Sequence, residues 1–60
     1  MDAFEKFLAD NPGKSAVELA ILLGEVDHAT RKILLTEPSF APWVRENNDE
    51  IFRYLKEKHS

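Results

Sequence analysis

The chain has 60 residues, no cysteine and a formal net charge of −3. A chain of this length forms one small domain with a thin core, worth about 3–5 kcal/mol net, and without cysteine it has neither a disulfide nor a thiolate metal site to reinforce it. The acidic balance weighs against strong, sequence-independent binding to phosphate backbones, although it still permits positive charge gathered on one face.

The first predicted helix covers residues 2–10. Asp2 stands at its N-cap, and Phe4, Phe7 and Leu8 recur at the spacing of one buried stripe. Asn11-Pro12-Gly13 then breaks the chain. Ser15 opens a second helix over residues 16–23, where Ser15 and Glu18 stand at the spacing of a capping box. Its body, "AVELAILL", is apolar almost all round, so it lies under other elements or presents apolar surface to a partner. Gly24 follows where helices often stop on a left-handed residue. Asp27 caps a third helix over residues 28–36, closed by Pro38. Its inward arc is read as Ala29, Thr30, Ile33 and Leu34, with His28, Arg31 and Lys32 outward. Leu35 falls among those polar residues.

The last segment, residues 40–58, supports two readings. Aromatic and β-branched residues flank "ENND" as in a hairpin with strands at 40–45 and 51–55. The same residues also make a helix over 48–58, with acids in its first turn, bases in its last, and Ile51, Tyr54 and Leu55 on one face.

The order helix, turn, capped helix, glycine and third helix, with Glu18-Leu19-Ala20-Ile21-Leu22-Leu23-Gly24 in the second helix, resembles the winged helix-turn-helix domains. That resemblance implies an α+β fold, mostly α, with three helices and a short C-terminal β-hairpin wing in a single domain over 1–60. The alternative is an all-α four-helix bundle on the same first three helices. It also implies a DNA-binding, regulatory module that lays its third helix along the major groove of double-stranded DNA. Lys14 and the amides from Ser15 onward would meet phosphates. His28, Thr30, Arg31 and Lys32 would approach the bases, and Arg45 and Arg53 on the wing would touch the flanking backbone. Glu25, Asp27, Glu46, Asp49 and Glu50 add acids to those same regions.

The alternative function is an acidic protein-interaction domain that docks through the apolar second helix, Leu35 and Trp43. On the DNA reading, the few usable cations imply weak binding alone and action as one unit of a homodimer or of a larger assembly. No enzyme is expected. Gly13-Lys14-Ser15 echoes a phosphate-binding loop, but the upstream glycine and the preceding strand are missing. No cofactor or metal is expected, since His28 and His59 stand far apart. No apolar run is long enough to span a membrane, and the acidic, amphipathic start does not read as a targeting signal. A cytoplasmic or nuclear location is the resulting expectation.

Overall fold

The computed structural model describes residues 1–59, which form four helices: α1 (Ala3–Ala9), α2 (Ala16–Glu25), α3 (His28–Leu35) and α4 (Phe40–His59). No strand occurs among the described residues, so the expected β-hairpin wing is absent and the fold is all-α. The four-helix alternative gave the correct class, but it began the last helix eight residues too late. "ENND" is helix interior here, and the Asn47 side-chain amide donates to the Trp43 carbonyl one turn back at 2.8 Å. Pro42 does not prevent this, because it falls in the first turn, where a backbone N–H has no helical partner to lose.

The caps follow the sequence closely. Asp2 accepts from the Glu5 amide at 2.8 Å and Ser15 from the Glu18 amide at 3.2 Å, each within a reciprocal capping box. Asp27 accepts from the Thr30 amide at 3.1 Å and also takes the Thr30 hydroxyl. The left-handed glycine is Gly13, at φ 78° in the turn between α1 and α2. Gly24 is instead helical, and α2 runs on to Glu25 with Val26 as its C-cap.

The main core cluster gathers around Phe4, while Ala16 and Leu19 are buried separately along α2. Phe4 is completely buried and joins Leu23 and Leu34, with Phe7, Leu8, Phe40 and Trp43 packed around them. The rings of Phe40 and Trp43 meet Phe4 edge-on, at centroid distances of 5.2 and 5.3 Å. Such edge-to-face pairs add about 0.5–1.5 kcal/mol beyond area burial. The α1 start is tied down from afar: Glu37 accepts from the Ala3 amide at 2.6 Å, and Asp2 accepts from the Ser39 amide and hydroxyl at 3.1 and 2.7 Å.

Leu23, late in α2, shares the core with Phe40 and Trp43, early in α4, whereas Val17 at the start of α2 meets Glu50 in mid-α4. The two helices therefore run in opposite directions. With 20 residues, α4 is about 30 Å long and far exceeds its 7-, 10- and 8-residue neighbours. The molecule accordingly measures 36 × 22 × 20 Å, and the second half of α4 projects beyond the aromatic core.

Candidate functional site: an apolar groove between α2 and α4

Two candidate surfaces follow from the sequence, one built on cations and one on apolar side chains. The cationic one is dispersed. Arg31 does not point outward as the helical projection suggests. Its Nε donates to the Leu23 carbonyl at 2.7 Å, and its Nη2 donates to the carbonyls of Gly24 and Val26 at 2.9 and 2.6 Å. These are carbonyls at the end of α2 that lack helical donors, so the guanidinium caps that helix and its charge offsets the negative end of the dipole. The phase of α3 is shifted to match. Only Leu34 of the expected inward arc is buried, whereas Ala29 and Thr30 are exposed and Ile33 is 56% exposed.

The remaining residues assigned to DNA divide into caps and solvated charges. Ser15 is the α2 cap, and the Thr30 hydroxyl is engaged by Asp27. Lys14, His28, Lys32, Arg45 and Arg53 are exposed. Arg45 and Arg53 stand eight residues apart on one continuous helix, about 12 Å along its axis and not together at a hairpin tip.

The helix starts that could have received phosphate already hold the protein's own acids. At α2, Glu18 accepts from the Ser15 amide at 3.1 Å and Glu50, reaching over from α4, accepts from the Val17 amide at 3.2 Å. Hydrogen bonding to the ionised form holds the acids of these caps below their ordinary values. For Glu18 the Ser15 amide is the main cause. For Asp2 it is the Glu5 amide, assisted by Ser39, and for Asp27 it is the Thr30 hydroxyl followed by the Thr30 amide.

The apolar surface is gathered. Ala16, Leu19 and Leu23 turn the buried side of α2 inward, leaving Val17, Ala20 and Ile21 on an adjacent side. Those three form one wall of an open groove of about 320 Å³. The opposite wall is Ile51, Tyr54, Leu55 and Lys58 of α4. The Lys58 ammonium lies 5.8 Å from the centre of the Tyr54 ring, a cation–π contact at the rim. Ile21 and Leu55 are 46% and 42% exposed, and Phe52, one turn before Leu55, is 60% exposed. Only the tips of Tyr54 and Lys58 are polar among the lining side chains, which leaves few groups to orient a small polar ligand.

Of the apolar docking residues expected from sequence, the second helix is in place. Trp43 belongs to the core, and Leu35 is 40% exposed on α3. The α4 wall is the shared face of Ile51, Tyr54 and Leu55, visible in the sequence once the segment is taken as helical. No cluster of histidines and acids able to hold a metal occurs among the described residues, and none of their helices is long and apolar enough to cross a membrane. No protein-family model, curated protein or solved structure matches the chain.

Proposed function

We propose that this protein is a small interaction domain that docks helical protein segments through the α2–α4 groove. One observation carries this: Val17, Ala20 and Ile21 of α2 face Ile51, Tyr54 and Leu55 of α4 across an open groove outside the aromatic core, with Ile21 and Leu55 left exposed. Apolar side chains gathered in one groove with few polar groups suit the apolar side of a protein segment better than a small polar ligand. An amphipathic helix with apolar anchors at i, i+3, i+4 and i+7 suits a groove walled by two helices.

Binding to DNA has less support, because Arg31 is committed to capping α2 and the α2 start is lined by Glu18 and Glu50. The test is a selection of amphipathic helical peptides from a displayed library on the wild-type chain, with counter-selection on Ile21→Glu. Enriched peptides should carry the stated anchor spacing and bind with little dependence on salt. Duplex DNA titrated at low and moderate salt provides the opposing arm, since phosphate contacts weaken steeply as salt rises. No peptide enrichment together with steeply salt-dependent DNA binding would overturn the docking role.

A further inference from the structure

Resting on that docking role, we infer that the helical segment seated in the groove carries an acidic residue just beyond its apolar anchors, and that Lys58 selects it. Among the residues that line the groove, Lys58 is the one that carries a charge. Its ammonium lies 5.8 Å from the centre of the Tyr54 ring, and Tyr54 is itself part of the wall. The ring face favours that placement of the cation, so the charge belongs to the wall that an occupant covers. A helix laid on this wall strips water from the ammonium. Covering a cation without a new acceptor costs free energy, so the occupant that fits places a carboxylate there.

The surrounding charges leave this requirement in place. Glu18 and Glu50 adjoin Val17 and Ile51 in sequence, but both are engaged at the start of α2. There they accept from the Ser15 and Val17 amides at 3.1 and 3.2 Å and offset the positive end of the helix dipole. At about 100° per residue, Asp49, Arg53 and Lys56 fall on the side of α4 away from Ile51, Tyr54 and Leu55, and all three are exposed. Glu57, on the flank of that wall, is already engaged within the chain. Glu25 ends α2, next to the Leu23 that packs with Phe40 and Trp43 at the start of α4, so it lies toward the end of the groove opposite Lys58. The groove therefore has one cationic end, and the acid of the occupant belongs at that end alone.

The experiment is the displayed-library selection of amphipathic helical peptides, run in parallel on full-length wild type, Lys58→Met and Lys58→Glu. Peptides retained by wild type should carry Asp or Glu about one turn beyond one end of the anchor stripe. Lys58→Met should retain peptides with no charge preference at that position, and Lys58→Glu should retain Lys or Arg there instead. A synthetic copy of one wild-type-selected peptide then measures the pair. Changing its acid to the amide should weaken binding to wild type about fivefold and to Lys58→Met hardly at all, while Lys58→Arg keeps the preference. A single pair of this kind leaves the salt dependence far below that of a phosphate backbone. Peptides enriched on wild type without that acid overturn the Lys58 assignment, and so does an acid preference that Lys58→Met leaves intact. Either result leaves the docking role standing, whereas a failure of all three chains to enrich any peptide removes both.

Discussion

Arg31 shows how much a single side chain decides in this domain. Three bonds from a charged donor to carbonyls, two of the three part-buried, hold the end of α2 against the start of α3. Arg31→Ala should lower unfolding stability by about 1–3 kcal/mol, because those carbonyls lose their donors. Lys32→Ala, at an exposed site, should stay within about 0.5 kcal/mol. Urea denaturation of the two variants compares them directly, and equal stabilities would refute the capping role. The glycines divide in a similar way. Gly24 is helical with open space where a Cβ would stand, so Gly24→Ala should raise stability by about 0.5–1 kcal/mol. Gly13→Ala, at φ 78°, should lower it by about 1 kcal/mol despite equally open space. Thermal melts of both variants test the assignment, which fails if the signs are reversed.

At the scale of elements, the helix starts were legible in the sequence because a cap is a local device. Asp2, Ser15 and Asp27 each reach an amide three residues on, and all three expected caps are present. What was not legible depends on distance. The Glu50 bond to Val17 and the Glu37 bond to Ala3 join residues 33 and 34 positions apart, and nothing in local spacing announces them. The last element misled for a related reason. "ENND" has the composition of a turn, but within α4 Asn47 bonds back to Trp43, and packing of Phe40 and Trp43 on Phe4 rewards the helix. The projected arc of α3 failed because Arg31 found partners on a neighbouring helix that no projection contains. The caps also set the acid response. Asp2, Glu18 and Asp27 all have folded-state values below the ordinary 3.8, 4.5 and 3.8. The stabilisation they give is thus complete above the unfolded values and is lost as pH falls through the lower folded ones. The melting temperature should be flat from neutrality to about pH 5 and then drop, and Asp2→Asn/Glu18→Gln/Asp27→Asn should flatten that drop. An equally steep drop in the triple variant would place the acid response elsewhere.

At the scale of the whole molecule, the fold separates a closed end from an open one. The aromatic cluster around Phe4 closes the first, and the α2–α4 groove with its exposed Ile21 and Leu55 is the second. The sequence marks the second helix as apolar nearly all round, and its helical alternative for the last segment puts Ile51, Tyr54 and Leu55 on one face. The docking surface it implied, however, joined the second helix to Leu35 and Trp43 instead. The meeting of the second helix with the Ile51 face was not legible, because it depends on α4 continuing unbroken past Pro42 and crossing α2. The central claim is that this open end is the working surface, and amide chemical shifts read it residue by residue. Spectra of the labelled chain should be recorded on adding a library-selected amphipathic helical peptide and, separately, on adding duplex DNA at low salt. The expected result is peptide-dependent shifts clustered at Val17, Ala20, Ile21, Ile51, Tyr54 and Leu55, with DNA producing little change. Shifts that instead appear only with DNA, at Lys14, His28 and Lys32, would contradict it.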